Sequence, residues 1–374
     1  MRLLFALAFI VAASQAANAA PLVVKSSAGN IAVETVASGL VHPWALAFLP
    51  DRRMLVTERP GRMRIVSEDG KLSPPVAGVP KVFVRSQAGL LDVVLDRDYA
   101  KNSTIYYCYN ADSTGNVALT RAKLIVDETP RLDDQKIIFR QTGRPSGGNN
   151  LACRIAQAPD GNLFVALGDH FGPREQAQTL DNTIGKIVRI QPDGSVPPGN
   201  PFADKPGAKP EIWSYGHRNP EGLAFNPADG KLWEQEHGPM GGDEINIVEK
   251  GKNYGWPLVS YGVNYDGTPV GEGKTHEPGT EQPVWHWTPS IAPSGMAFYS
   301  GKLFPAWRGS LFNGALKFQL VSRLTLDGDK VVKEERLLHE LGERIRDVRE
   351  GPDGALYLLT DNSAGRVLRL VPAK

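Results

Sequence analysis

The sequence predicts an all-β chain folded as a six-bladed β-propeller, on three observations: a composition dominated by turn formers, a repeated hairpin, and terminal strands able to pair with each other. With 39 Gly and 29 Pro in 374 residues, turn residues recur too often for long helices. Few segments keep apolar residues at helical spacing over about ten positions. No Pro/Ser-rich linker or charge block divides the chain, so residues 20–374 are expected to form a single domain after a leader, 1–19.

The repeats set the architecture. In order they are WALAFLPDRRMLVTE from Trp44, GLLDVVLDRDYAKNSTIYYCYN from Gly89, ACRIAQAPDGNLFVALGD from Ala152, GLAFNPADGKLWEQEHG from Gly222, GMAFYSGKLFPAWRGSLFNGALK from Gly295 and IRDVREGPDGALYLLTD from Ile345. Each has an apolar strand, a turn built on Pro, Asp or Gly, and a second apolar strand. Starts lie roughly 45 to 75 residues apart, the spacing of four-stranded blades with variable loops. The third and sixth copies turn on Pro-Asp-Gly, where proline presets φ and glycine accepts φ > 0. The segments 31–36 and 366–371 flank the repeats and are expected to pair, closing the ring and removing an exposed sheet edge.

Arg2, the apolar run from Leu3 to Ala13 and the small residues Ala17, Asn18 and Ala19 read as a secretory signal peptide cleaved after Ala19. The run is too short for a membrane span, which predicts a periplasmic or secreted protein. The 42 basic and 41 acidic residues balance to a net charge of +1. That excludes a nucleic-acid footprint and a polybasic membrane anchor and leaves a small molecule as the expected partner.

The chemistry concentrates in loops. From Glu236 to Pro257 the chain reads EHGPMGGDEINIVEKGKNYGWP. Carbonyls at Gly238 and Pro239 and the carboxylates of Asp243 and Glu244 are hard ligands suited to Ca²⁺, although the same residues also make an ordinary acidic turn. Other loops carry Gln87, Asn149 and Asn150, Arg218 and Asn219, Tyr265, Lys317, and Arg344 and Arg346. Singly, each cation reads as solvated. Together, Arg218, Lys317, Arg344 and Arg346 would suit a ligand with several carboxylates, because guanidinium forks match carboxylates in pairs.

These motifs closely resemble the soluble aldose sugar dehydrogenases that depend on pyrroloquinoline quinone (PQQ), relatives of soluble quinoprotein glucose dehydrogenase. The resemblance runs from HPWALAFLPD at His42 to the final blade and includes EIWSYG, NPFADK, GGDEINI, KGKNYGWPL, GTEQPV, SGMAFY and IRDV. It implies oxidation of aldoses to lactones, with electrons passed to an external acceptor, and PQQ and Ca²⁺ as cofactors. It places Gln87, Arg218, Asn219, Tyr265, Ala315, Lys317, Arg344 and Arg346 around PQQ. It also places the Gly238 and Pro239 carbonyls on one Ca²⁺, Glu244 and Tyr254 on a second, and Arg218 beside the reacting quinone.

The sequence departs from the family where the reaction would start. Relatives carry a base histidine after Gly-Asn; here Gly148 and Asn149 are followed by Asn150. A neutral amide positions a hydroxyl but accepts no proton near neutral pH. Met240 replaces an arginine of relatives, and Cys153 a glycine. A PQQ- and Ca²⁺-binding propeller with little dehydrogenase activity is therefore the alternative, followed by a Ca²⁺-dependent lactonase or a pure binding module. His170, His217 and His237 are candidate replacement bases, each also readable as an ordinary loop histidine. Cys108 and Cys153 lie in strands of consecutive repeats, open to a disulfide in an oxidising compartment or to two buried thiols.

Overall fold

A computed structural model describes residues 21–144 and 148–373; the expected leader lies outside the described residues. Six antiparallel sheets form the blades of a β-propeller. The first is Pro43–Phe48, Met54–Glu58 and Arg62–Val66. The second is Leu90–Leu95, Thr104–Asn110, Val117–Ile125 and Arg131–Arg140. The third comprises Cys153–Gln157, Leu163–Leu167, Lys186–Ile190 and Ile212–Tyr215, and the fourth Pro220–Phe225, Leu232–Glu236, Asp243–Val248 and Trp285–Trp287. The fifth is Pro293–Phe298, Leu311–Ala315, Leu320–Asp327 and Lys330–Leu337. Each sequence repeat is the inner hairpin of one blade. The innermost strands pack one against the next, and the sixth against the first.

The sixth blade combines Ile345–Glu350, Leu356–Thr360 and Gly365–Pro372 with the early strands Gly29–Leu40 and Leu22–Ser26. The expected closure is present: Ala32 pairs with Val371 and Thr35 with Leu368. Strand number departs from the expected four at this seam. The sixth blade gains Leu22–Ser26 as a fifth strand, and the first has only three. After Val66 the chain carries Pro74, Pro75 and Pro80, which have no N–H for a ladder, so the stretch stays irregular.

Five inner hairpins carry a register shift near the start of the innermost strand: at Pro43/Ala45, Leu90/Val93, Pro220/Gly222, Pro293/Met296 and Ile345/Asp347. A bulge re-aims the extra residue. Four residues inside these shifts, Trp44, Leu91, Glu221 and Arg346, line one cavity at the centre of the ring.

The axis is crossed by ion pairs. Buried Arg154 lies 3.4 Å from Asp92 and 3.1 Å from Asp347, with its guanidinium 4.1 Å from the Trp44 ring centroid. Arg349 pairs with both carboxylates, at 3.1 and 2.9 Å. Cys108 and Cys153 are joined as a disulfide with Cα atoms 6.4 Å apart, which links the second blade to the strand that follows Asn150 and decides the question the spacing left open.

Candidate active site

Neighbouring strands are antiparallel, so the start of each innermost strand and the end of its hairpin partner meet on one face. His42, Gln87, Asn150, Arg218 and Arg344 stand at such starts; Arg59, Asp169, Gly238 and Asp361 stand at such ends. Two cavities open among them.

The central cavity, about 240 Å³, is lined by Arg59, Gln87, Glu221, Tyr265, Arg344, Arg346 and Asp361, among others. Arg346 is 2.9 Å from Glu221 and 3.2 Å from Asp361, and Arg344 reaches Asp361 at 3.4 Å. Asp361 also meets His42 Nδ1 at 2.8 Å. Although burial raises the Asp361 carboxyl, Arg346 and its other partners hold it well below the usual carboxylate range. Arg59 donates to the Ser86 carbonyl and has no carboxylate at ion-pair distance among the described residues. Burial depresses its guanidinium, Asp361 opposes this, and Arg346 and Arg344 add smaller downward effects. Three guanidinium groups thus face two carboxylates, and the surplus charge suits an anionic ligand.

The second cavity, about 610 Å³, has Asp169, Arg218, Pro239, Trp256 and Tyr265 in its wall. Tyr265, 61% exposed, lines both cavities and joins them. Arg218 is buried and donates through Nη1 to the carbonyls of His237 (3.0 Å) and Gly238 (2.7 Å).

Asn150 is buried beside this wall, in left-handed backbone with φ 52°. Its N–H donates to Gln87 Oε1 at 2.7 Å, and its Nδ2 donates to Asp169 Oδ1 at 2.8 Å. The Phe171 N–H and the Trp256 Nε1 also donate to Asp169, each at 2.7 Å. Burial raises the Asp169 carboxyl from its ordinary value, with Arg218 and these donors opposing. Gly168 allows the approach, because a Cβ there would meet the Asn150 carbonyl oxygen at 2.0 Å.

A third space, only about 10 Å³, has Gly238, Glu236, Glu244 and Tyr254 in its wall. Glu236 lies opposite Glu244 across the ladder, and Glu234 opposite Asn246. All three carboxyls are pushed up by burial. Glu234 Oε2, His217 Nδ1 and Asn246 Oδ1 are buried without a hydrogen-bond partner. The buried carboxyls of Glu236 and Glu244 around this small space suit a hard divalent cation; the unpaired atoms of Glu234, His217 and Asn246 lie outside its wall, where His217, Glu234 and Glu236 bring one ligand atom each within 4.8 Å of one another.

The predicted site residues line these spaces with four exceptions, the first being Asn150, which stands behind Asp169 and lines none of the three. Asn219 is fully buried, accepting from the Ala152 N–H and donating to Glu221. Ala315 is buried in its strand. Lys317 is exposed, with Nζ 5.7 Å from the Phe318 ring centroid, and lines neither cavity. Of the histidines considered as bases, His170 turns Nε2 to Gln141 at 2.7 Å, and His217 is stacked on Tyr254. His237 lines the central cavity, but its Nε2 is held at the Pro293 carbonyl. Burial lowers all three, His170 to about 4 and His217 to about 3.

Sequence reasoning missed Arg59, Asp169, Glu234 and Glu236. For Glu234 and Glu236 a signal existed: alternate acids inside an apolar inner strand, LWEQE, must share one face. Arg59 and Asp169, each just past a strand, read as solvated ends.

The family model described as Glucose / Sorbosone dehydrogenase matches residues 40–369. The chain is 47% identical over 362 residues to the aldose sugar dehydrogenase YliI of Escherichia coli strain K12, covering 94% of this chain and 97% of that one. A crystal structure of a glucose dehydrogenase is 50% identical with a TM-score of 0.87, over 91% of this chain and 99% of that chain. The PQQ-bound aldose sugar dehydrogenase of Streptomyces coelicolor is 30% identical with a TM-score of 0.77, over 91% and 98%.

Proposed function

We propose that this chain, which belongs to the glucose/sorbosone dehydrogenase family, is a PQQ-dependent dehydrogenase that oxidises aldoses at the anomeric carbon to lactones and passes the electrons to an external acceptor. The observation that carries this reading is the central cavity with its surplus guanidinium charge, joined through Tyr265 to an open cavity walled by Arg218 and Asp169.

Bound in the central cavity, PQQ would supply a quinone able to take two electrons from the sugar. Arg59, Arg344 and Arg346 would bind its carboxylates, with Gln87 and Tyr265 bounding the cavity. Ca²⁺ would be held by the Gly238 and Pro239 carbonyls, the first shared with Arg218, and a second ion by Glu244 and Tyr254 with Glu236 beside them. Arg218, fixed by two carbonyls, holds positive charge in the wall of the open cavity. Asp169, in the wall of the open cavity and held there by the Asn150 amide, would orient the anomeric hydroxyl, while Asn150 itself accepts no proton.

The second reading, a PQQ- and Ca²⁺-binding propeller with little turnover, is favoured by one observation. Asn150 follows Gly148 and Asn149 where the resemblance expects a base, and the ring nitrogens of His170, His217 and His237 are turned to partners or buried. Export to an oxidising compartment accords with the Cys108–Cys153 bond. No helix among the described residues is long and apolar enough to cross a membrane.

Reconstitution with PQQ and Ca²⁺, followed by aldoses and an artificial electron acceptor, separates the readings. Quinone absorbance with sugar-dependent reduction is expected. Binding without reduction leaves the second reading, and failure to bind PQQ defeats both.

A further inference from the structure

His42 stands in left-handed backbone, φ 47°, one residue before the innermost strand of the first blade and at its junction with the sixth. Such backbone is uncommon outside glycine and persists where the surroundings fix it. The backbone of His42 is fixed on both sides: its N–H donates to the Asn362 carbonyl at 2.8 Å, and its carbonyl accepts from the Arg59 N–H at 3.0 Å. The side chain is fixed as well. Nδ1 meets Asp361 Oδ1 at 2.8 Å, and because this carboxylate, ionised among its guanidinium partners, only accepts, Nδ1 carries the proton.

His42 therefore bears on all three arginines of the central cavity. Its carbonyl holds the backbone of Arg59, and its imidazole shares Asp361 with Arg344 and Arg346, whose Nη2 atoms approach Oδ2 at 3.4 and 3.2 Å. The way the carboxylate is shared decides what the arginines can do. Two free oxygens match the fork of a single guanidinium, the bidentate pair that arginine and carboxylate favour. With Oδ1 taken by the imidazole, each guanidinium meets only one oxygen and keeps N–H groups for another anion. Arg346 shows this directly, since its Nε is buried without a hydrogen-bond partner. An ordinary seam contact would need no such division, because the backbone bonds of His42 join the two blades by themselves.

We propose that His42 is a positioning residue of the anion cradle: its Nδ1–H occupies one oxygen of Asp361 and so leaves Arg344 and Arg346 turned to the carboxylates of a bound aromatic polycarboxylate. This rests on the reading that PQQ is that ligand, and extends it to a residue outside the cavity wall.

The test titrates the full chain with PQQ, followed by quinone absorbance, and with trimesate, a plain aromatic tricarboxylate, followed by calorimetry. His42→Phe removes the donor and is expected to weaken both ligands about tenfold, with an unliganded melt close to that of wild type. His42→Asn keeps an amide donor near the same place and suits φ 47°, so it should restore affinity to within about twofold of wild type. Equal weakening in the two variants, or none in His42→Phe, overturns the proposal. If His42→Phe does not fold, imidazole nitrogen NMR of the wild type decides. The Nδ1–H form of His42 is expected with and without ligand, and an Nε2–H form overturns the proposal. If trimesate binding depends on His42 while PQQ does not bind, the cofactor reading fails and the role of His42 stands. Wild-type protein that binds neither ligand overturns it.

Discussion

Asn150 occupies left-handed backbone, φ 52°, where asparagine and histidine are both enriched among non-glycine residues, so exchanging them requires no new backbone. Its Nδ2 already donates to Asp169 Oδ1, and an imidazole at the same position would find the same carboxylate to orient it. Asn150→His is therefore expected to raise aldose turnover, by the roughly 10² to 10⁴ that a positioned general base supplies. The measurement is turnover on a panel of aldoses with PQQ occupancy matched to wild type. No gain on any sugar at full occupancy would mean that Met240 and Cys153 mark a changed substrate class and not a lost base alone. Arg59 makes a second case. Arg346 is already paired with Glu221 and Asp361, whereas Arg59 meets only a carbonyl, so its charge is the more available to a ligand. Arg59→Ala should weaken PQQ binding by about 2 to 5 kcal/mol in an absorbance titration, and unchanged affinity would remove Arg59 from the cofactor site. At this scale the resemblance singled out loop residues that the structure places in cavity walls, as with Gln87, Arg218 and Arg346. The sequence was not legible for Arg59 and Asp169, because a charged residue after a strand is ordinarily solvated and only the ring's closure brings these two inside.

The hairpin is the unit in which the fold was most readable, since an apolar strand, a Pro-Asp-Gly turn and a second apolar strand state the local structure directly. Its bulges were not readable. The extra residue is defined by pairing with the partner strand, and nothing within Pro220–Phe225 alone shows that Glu221 is the one turned to the axis. The fourth blade shows what the pattern does disclose: Glu234 and Glu236 alternate within an inner strand and face Asn246 and Glu244 across the ladder. Burying three carboxyls together without a cation is unfavourable, and burial raises each of them. Chelation of Ca²⁺ is expected to lower Tm. Saturating ion at a hundred times Kd contributes about 2.7 kcal/mol that the chelator removes. Glu236→Gln should raise the Tm of the chelated protein, by relieving repulsion, and abolish most of its response to added Ca²⁺. A chelator-insensitive Tm, or a Glu236→Gln protein that responds like wild type, would show that this cluster holds no structural ion.

Closure was predicted from the ends of the chain, and its consequence belongs to the whole molecule. Gly29–Leu40 lies between Gly365–Pro372 and Leu22–Ser26, so the sixth blade is built from both termini. The two terminal segments do different work. Removing residues 366–374 would leave Gly29–Leu40 and Leu356–Thr360 without their shared neighbour, expose two strand edges and strip Val367, Leu368 and Leu370 from the core. Removing residues 21–28 takes away an outer strand, Val24 with Leu22 and Ala28 from one edge of a core cluster, and the contacts of Ser27 with Glu335, Trp307 and Arg323. The fifth strand was not anticipated because a short segment beside the expected leader carries no repeat to mark it. The truncations should therefore separate. The protein lacking 21–28 is expected to fold, with a cooperative melt and a Tm lowered by several degrees, since it loses one buried valine at the edge of a cluster and a few partly exposed hydrogen bonds each of about 1 kcal/mol. The protein lacking 366–374 is expected to lose the cooperative melt and to elute as aggregate on size exclusion. Its last strand supplies apolar side chains to two inter-blade clusters, and nothing else can cover the exposed edges. A soluble monomer with a wild-type melt from the second truncation would show that the innermost strands close the ring by packing alone, without the pairing of the two termini.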